Sequence, residues 1–231
     1  MLQTHDLHVT LDAEAGLVRA LDGLSLTLER GETFALVGES GCGKSMTALA
    51  LMRLLPDNGR IEQGSVDLGT DVPDGKPTEL LYLPECEMRR IRGGHVGIIF
   101  QEPATSLNPV MRVGDQIVEA IEAHTSLRGV AARRKAVDWL RRVGIPEPER
   151  RIDSYPFEMS GGQKQRVMIA MTLAAEPAYL IADEPTTALD VTIQKQVLDL
   201  LKDLQRERQL GLLLITHDLA VVADMAHRVA L

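Results

Sequence analysis

Gly38-Glu39-Ser40-Gly41-Cys42-Gly43-Lys44-Ser45 is the stretch that decides the fold of this chain, because it follows the phosphate-binding pattern G-x-x-x-x-G-K-[ST]. An apolar run at 34–37 predicts a buried strand before it, and good helix formers at 46–55 predict a helix after it. Glycines let such a loop curl so that several N–H groups point at one anion, and the helix N-terminus adds partial positive charge. The alternative is a glycine-rich turn that binds no ligand.

The two side chains at the end of this loop have separate expected roles. Lys44 can reach the β- and γ-phosphates of a nucleotide, and the Ser45 hydroxyl can bind Mg²⁺. The candidate phosphate-binding residues are Gly38, Glu39, Ser40, Gly41, Cys42, Gly43, Lys44, Ser45 and Met46. The sequence therefore predicts a nucleotide-phosphate site between a strand and a helix.

The composition is that of an ordinary globular protein, with 45% hydrophobic and 25% charged residues. The net charge of −8 argues against a broad nucleic-acid or anionic-membrane surface. No apolar run approaches the roughly 18–20 residues that span a bilayer, and the N-terminus lacks the pattern of a signal peptide. Cys42 and Cys86 provide no disulfide framework, which favours a reducing cytoplasm.

The pattern of apolar residues changes twice along the chain. Short alternating segments at 7–11 and 24–28 predict antiparallel strands, whereas 108–156 carries helical patterns only. Strand–helix alternation then returns and predicts a parallel sheet covered on both faces. The predicted strands are 64–68, 96–100, 179–182 and 210–215, the predicted helices are 87–92, 113–123, 130–143, 160–175, 191–208 and 218–226, and 69–79 is a predicted loop. Residues 228–231 resemble the start of a further strand, so we expect the chain to be a fragment of a longer protein.

Two acids follow the predicted strand at 179–182. Asp183 can hold Mg²⁺ through water beside Ser45, and Glu184 can orient or deprotonate a water that attacks the γ-phosphate. The alternative is a pair of solvated turn acids before Pro185. A phosphate loop on the same sheet favours the metal and catalytic roles.

Gln101 and His217 also end predicted strands. Gln101 can touch Mg²⁺ or the attacking water, and His217 can donate a hydrogen bond to a γ-phosphate oxygen. From spacing alone, a surface glutamine and a histidine that flanks the predicted helix at 218–226 are equally consistent with the sequence.

Ser160-Gly161-Gly162-Gln163 predicts a second anion site, because a good N-cap and two glycines expose the backbone at the start of a helix. One nucleotide does not need two phosphate cradles so far apart in sequence. The economical explanation is that this site serves the nucleotide of a partner subunit. The alternative is an ordinary capped helix.

The order of these motifs, together with Ala188-Leu189-Asp190, resembles the nucleotide-binding subunit of ABC transporters over essentially the whole chain. The resemblance implies an α/β P-loop NTPase fold with a mostly parallel core sheet, an N-terminal antiparallel β subdomain and an inserted helical subdomain. It implies a single domain over 1–231, with the core at about 1–101 and 160–231 and the helical subdomain at about 102–159.

Three stretches resemble one branch of that family. Residues 100–109 resemble the F-Q-[DE]-P-x-x-S-L-N-P stretch of dipeptide, oligopeptide, nickel and glutathione importers, and 165–171 and 182–192 are also typical of that group. The insert before Glu87 is similar to the glutathione-type members. The resemblance therefore implies an ATPase that powers import of peptides or related solutes.

The family resemblance also implies the partners and the roles of single residues. It implies ATP and Mg²⁺, integral membrane permease subunits, a second ATP-binding subunit, indirectly a substrate-binding protein, no nucleic acid, and a location at the cytoplasmic face of the cell membrane. Mg²⁺ would be held by Ser45, Gln101 and Asp183. Catalysis would use Glu184 as general base with His217, Gln101 and Lys44, and the partner's ATP would meet Ser160, Gly161, Gly162 and Gln163, with Asp190 at the subunit interface.

Two positions depart from the family pattern. Leu11 occupies the place of the aromatic residue that stacks on adenine, which puts this stacking in doubt, and Met159 replaces a leucine, which conserves volume. A soluble ABC-type ATPase that acts on nucleic acid or the ribosome remains an alternative. A GTPase is disfavoured because no N-K-x-D motif occurs, and a non-hydrolysing module is disfavoured because Glu184 and His217 are both present.

Overall fold

The computed structural model describes residues 1–14, 16–39, 41–69, 77–187 and 189–231. Its elements in chain order are β1 (Leu2–Ala13), β2 (Gly16–Leu28), β3 (Thr33–Val37), α1 (Lys44–Leu51), β4 (Gly59–Leu68), β5 (Thr78–Glu79), α2 (Glu85–Gly94), β6 (Val96–Ile99), α3 (Pro103–Ser106), α4 (Val113–His124), α5 (Gly129–Arg142), α6 (Pro148–Arg151), a 3₁₀ turn (Pro156–Glu158), α7 (Gly161–Ala174), β7 (Tyr179–Asp183), α8 (Val191–Arg208), β8 (Gly211–Thr216), α9 (Leu219–Met225) and β9 (Arg228–Ala230).

The N-terminal part of the chain forms an antiparallel sheet in the strand order β2-β1-β4-β5. Alternating side chains such as Leu7 and Val9 are fully buried, which is the pattern expected of strands with one wet face. The strands extend beyond the predicted segments. The predicted loop at 69–79 is wrong at its end, because Thr78 and Glu79 pair with Leu68 and Asp67. Residues 70–76 of that loop lie outside the described residues.

The second sheet is parallel, with the strand order β6-β7-β8-β3-β9. Every residue of β3, β7 and β8 is buried, which explains why these strands are continuous apolar runs without alternation. Because all strands run the same way, the loops after β3, β6, β7 and β8 meet at one edge of the sheet. That edge collects the phosphate loop, Gln101, Glu184 and His217.

Between β6 and β7 the chain forms helices α3 to α7 with a 3₁₀ turn and no strand, as predicted. The predicted helices at 113–123 and 130–143 correspond to α4 and α5, which pack on each other and on α7. Their shared core contains Ile117, Ile121, Trp139 and Leu140, each at most 2% exposed. The division of the chain into a core and a helical subdomain is consistent with this arrangement and stays a prediction.

The helix after the phosphate loop is shorter than predicted. It ends at Leu51 rather than at residue 55, because Arg53 adopts a left-handed backbone conformation with φ of 51°. The Arg53 guanidinium donates to the carbonyl oxygens of Leu80 and Leu83, at 3.1 and 2.7 Å. The chain therefore leaves the helix early because this arginine ties the turn to the segment after β5.

Candidate active site

The phosphate loop closes tightly between β3 and α1. Gly41 and Gly43 have φ of 86° and 94°, and a Cβ atom on Gly43 would lie 2.3 Å from the carbonyl oxygen of Ala20. Only glycine fits at this second position, because the loop passes directly against β2. The ammonium group of Lys44 donates to the carbonyl oxygens of Gly38 and Glu39, at 2.8 and 2.7 Å. Ser40, a predicted phosphate-binding residue, lies outside the described residues.

A cleft of about 360 Å³ opens beside this loop. The phosphate loop and α1 contribute Gly41, Cys42, Gly43, Lys44, Ser45 and Met46 to its lining, the parallel sheet contributes Gln101 and Glu184, and the antiparallel sheet contributes Leu11, Val18, Arg19 and Ala20. The cleft therefore joins the predicted phosphate site to an aliphatic surface that includes Leu11. Cys42 and Cys86 are both exposed free thiols.

Glu184 is the centre of a network of hydrogen bonds at the edge of the cleft. Its Oε1 lies 3.0 Å from Nδ1 of His217, and its Oε2 accepts from Nε2 of Gln101 at 3.0 Å and from Oγ1 of Thr187 at 3.0 Å. The structure thus brings together three of the residues that the sequence predicts at three separate strand ends. Sequence reasoning missed Thr187 as a partner of Glu184.

Two opposing effects set the pKa of Glu184. Partial burial raises it, whereas the hydrogen bonds with His217 and Thr187 and the electrostatic interactions with His217 and Lys44 lower it. The lowering effects prevail, so the pKa of Glu184 lies below its usual value. The carboxylate is therefore ionised at neutral pH and able to accept a proton. Its hydrogen bonds with Gln101, Thr187 and His217 fix the orientation of its two oxygen atoms.

Asp183 has the surroundings of a metal ligand. It is 7% exposed, and burial raises the pKa of its carboxyl despite the hydrogen bond with Ser45 and the charge of Lys44. Its Oδ1 is buried, and no group in the described part of the chain donates a hydrogen bond to it. A buried oxygen without a donor fits a cation, and Ser45 and Gln101 offer the further hard oxygen atoms that Mg²⁺ prefers.

The described residues do not form a complete metal cage. No group of three or more His, Cys, Asp or Glu side chains among them is arranged to hold a metal ion. Mg²⁺ at this place would therefore take most of its ligands from phosphate oxygens and water, as is usual for this ion at nucleotide sites.

Ser160 and Gln163 form the N-terminal cap of α7. The Ser160 hydroxyl accepts from the backbone N–H of Gln163 at 3.3 Å, and the Gln163 side-chain oxygen accepts from the backbone N–H of Ser160 at 3.0 Å. A Cβ atom on Gly161 would meet no atom within 4 Å, so this turn is open to its surroundings. None of the described residues that line the cleft comes from 160–163, so the structure does not bring this motif to the phosphate loop.

Asp190 likewise caps a helix and lies away from the cleft lining. Its Oδ1 accepts from the backbone N–H groups of Thr192 and Ile193, at 3.1 and 3.0 Å, at the start of α8. Ala188, which precedes it in the predicted motif, lies outside the described residues.

A family model described as ABC transporter matches residues 21–187. The chain belongs to the ABC transporter family. It is 50% identical over 230 residues to the oligopeptide transport ATP-binding protein OppD of Bacillus subtilis, and 48% identical over 231 residues to the dipeptide transport ATP-binding protein DppD of the same organism. It is also 49% identical over 232 residues to the glutathione import ATP-binding protein GsiA of Salmonella typhimurium. These similarities confirm the family and the branch that the sequence motifs predict.

The chain is shorter than these ABC relatives. The alignments include 99–100% of the chain, but only 63% of OppD, 67% of DppD and 37% of GsiA. In the described part of the chain, no helix combines the length and the apolar character that crossing a membrane requires.

Solved ABC structures confirm the predicted fold class. The dimeric structure of MJ0796, a bacterial ABC transporter cassette, has a TM-score of 0.86 and 27% identity, covering 99% of this chain and 93% of that one. A dimeric post-hydrolysis state of the same cassette, bound to ADP and Pi, has a TM-score of 0.83 and 27% identity, covering 96% and 90% of the two chains. The chain is therefore an ABC-type ATPase module with the mixed sheet arrangement expected from its motifs.

Proposed function

We propose that this chain is the ATP-hydrolysing part of a subunit that powers import of peptides or related small solutes through a membrane permease. The observation that carries the proposal is the position of Glu184, which lines the same cleft as Lys44 and Ser45. Its carboxylate is held there by hydrogen bonds with Gln101, His217 and Thr187. The substrate class is supported by OppD, DppD and GsiA, whose names describe peptide and glutathione import.

The chain's own residues divide the work of hydrolysis among them. The N–H groups of the loop at 38–46 and the ammonium group of Lys44 bind the phosphates of ATP, and Glu184 accepts the proton of the attacking water. His217 donates to the γ-phosphate while it also orients Glu184. Ser45, Gln101 and Asp183, the last through water, would hold Mg²⁺. When bound, Mg²⁺ would neutralise the charge that develops on the phosphates.

The same proposal includes a head-to-tail pair of ATPase modules. The ATP bound by the partner module would contact Ser160, Gly161 and Gly162 at the start of α7, followed by Gln163. The open surroundings of Gly161 and the absence of 160–163 from the described lining of the chain's own cleft support this arrangement. ATP that contacts both modules favours the closed pair, and hydrolysis removes that preference. Asp190 would lie between the two sites.

The proposed partners follow from the import function. They are integral membrane permease subunits, a second ATP-binding subunit and, indirectly, a substrate-binding protein, with the chain at the cytoplasmic face of the cell membrane. The net charge of −8 supports the expectation that nucleic acid is not a partner.

Replacing Glu184 by glutamine tests the central role. Glu184→Gln keeps the side-chain shape but removes the base, so turnover should fall by about 10²–10⁴-fold while ATP binding persists and an ATP-bound dimer accumulates. Phosphate release and size-exclusion chromatography of the full-length protein measure both effects. Glu207→Gln, near the end of α8 with a side chain that is 61% exposed, is the matched control and should leave turnover unchanged. Wild-type turnover in Glu184→Gln would rule out Glu184 as the base.

A further inference from the structure

Gln165 is a buried polar side chain next to the catalytic turn. It lies on α7 and is 0% exposed, and its Nε2 donates to the carbonyl oxygen of Pro185 at 2.8 Å. A carbonyl oxygen can only accept, so the amide nitrogen of Gln165 must be the atom that faces Pro185. Pro185 directly follows Glu184. One buried hydrogen bond therefore joins α7 to the turn that carries the proposed base.

This hydrogen bond is made at a cost to the fold. The Oε1 of Gln165 is buried, and no donor among the described residues reaches it, so its desolvation costs about 1–3 kcal/mol. An apolar side chain of the same length would fill this space without that cost. Unlike such a side chain, Gln165 donates a hydrogen bond to the carbonyl oxygen of Pro185.

The turn after β7 needs such a hold, because its backbone is strained. Glu184 has φ of 46°, in the left-handed region that a residue with a Cβ atom seldom adopts, at a cost of order 1–3 kcal/mol. Its N–H donates to the carbonyl oxygen of Ile215 at 2.9 Å, which fixes the turn on the side of β8. Gln165 fixes the same turn from α7 through the carbonyl oxygen of Pro185, which lies in sequence between Glu184 and Thr187, whose hydroxyl donates to the Glu184 carboxylate.

We propose that Gln165 is a positioning residue for ATP hydrolysis, which holds the turn at 184–187 so that Glu184 points into the cleft. The proposal rests on the proposed role of Glu184 as base. It also provides a physical connection between the two ATP sites, because Gln165 lies one turn beyond Ser160, Gly161 and Gly162. A movement of α7 caused by the partner's ATP would reach Glu184 through this bond.

The neighbouring side chain shows that this end of α7 is held firmly. Arg166 is 9% exposed, and its guanidinium donates to the carbonyl oxygens of Val143 and Gly144 beyond the end of α5. Hydrogen bonds therefore join the first turns of α7 to two different parts of the chain. Arg166 connects them to the helical part of the chain, and Gln165 connects them to the catalytic turn.

Gln165→Met tests the proposal, because methionine keeps the length and volume but cannot donate to Pro185. In the full-length protein, kcat should fall roughly ten- to a hundredfold, since a displacement of about 1 Å has effects of this size. The KM for ATP should stay within about twofold, because the phosphate loop is untouched. Gln205→Met is the matched control: Gln205 is 5% exposed and donates to the carbonyl oxygen of Gly31, away from the cleft. It should leave kcat unchanged.

A second variant provides a readout that general destabilisation would not produce. The carboxyl introduced by Gln165→Glu can donate to Pro185 only while protonated, and burial raises its pKa. The ratio of its kcat to that of the wild type should therefore fall as the pH rises through that pKa. A ratio independent of pH would contradict the proposal, as would wild-type kcat in Gln165→Met or an equal loss in Gln205→Met. If Glu184→Gln is inactive while Gln165→Met is fully active, only the role of Gln165 is wrong; wild-type turnover in Glu184→Gln would refute the proposed base itself.

Discussion

Leu11 is the residue at which we expect a single change to alter the affinity of the cleft for adenine. It pairs directly with Val18 across β1 and β2, and both side chains line the cleft. Aliphatic groups would contact adenine through dispersion alone, whereas an aromatic ring would also stack on it. Leu11→Tyr should therefore tighten ATP binding by about 1 kcal/mol, or roughly fivefold.

Calorimetric titration of ATP into the variant measures this effect at the residue scale. Leu17→Tyr is the matched control, because Leu17 precedes Val18 on β2, does not line this cleft and is already 57% exposed. It should leave the affinity for ATP unchanged. An unchanged affinity in Leu11→Tyr would mean that a residue other than Leu11 packs on the base.

The sequence allows the residues of the site to be named, but not all of their contacts. Glu184, Gln101 and His217 each follow an apolar strand, and parallel strands end at one edge of a sheet. Spacing alone leaves Gln101 and His217 open, and the resemblance to ABC transporters is what assigns them to the site. Thr187 and Gln165 could not be found in this way. Their hydrogen bonds depend on the left-handed backbone of Glu184 and on the rotation of α7, and neither has a periodic signal in the sequence.

At the scale of single elements, Asp190 combines a capping contact with a proposed interface role, and the two can be separated. Asparagine keeps the side-chain oxygen that accepts from Thr192 and Ile193 but removes the charge. Asp190→Asn should therefore keep the free energy of unfolding within about 0.5 kcal/mol and still lower ATP turnover, whereas Asp190→Ala should also lose roughly 1 kcal/mol of stability.

Urea unfolding and phosphate release in the same preparations separate these effects. Asp218 is the matched control, because its Oδ1 caps α9 through Ala220 and Val221 in the same way, at 2.8 and 3.4 Å. Asp218→Asn should change neither quantity. If Asp190→Asn hydrolyses ATP like the wild type, Asp190 is a helix cap without a role between the two sites.

Elements differ in how well the sequence predicts their bounds. The helix predicted at 191–208 matches α8, because an N-cap and a long apolar stripe define it. The helix predicted at 46–55 ends at Leu51, because Arg53 bonds to carbonyl groups near 80–83, distant in sequence. β5 was missed because a strand of two residues has no periodicity and forms only by pairing with β4.

At the scale of the whole molecule, the cleft exists because two sheets meet at the phosphate loop. The antiparallel sheet contributes Leu11, Val18, Arg19 and Ala20, and the carbonyl oxygen of Ala20 lies where any side chain at Gly43 would be. The parallel sheet contributes Gln101 and Glu184, which are proposed to act on the phosphates of ATP. The residues proposed to contact adenine and those proposed to act on phosphate therefore lie on different sheets, so a change at Leu11 should leave the proposed catalytic network intact.

The proposed import function is a property of an assembly with other subunits and calls for a measurement on that assembly. Purification of the tagged, full-length protein in mild detergent, with partners identified by mass spectrometry, should recover two peptide-type permease subunits. An excess of untagged protein added before capture is the control and should displace them. The acidic net charge of −8 and the relatives OppD, DppD and GsiA favour this outcome. Recovery of ribosomes or DNA-repair proteins, with no membrane protein, would contradict the proposed transport function, and the proposed role of Glu184 in ATP hydrolysis would then belong to a soluble machine.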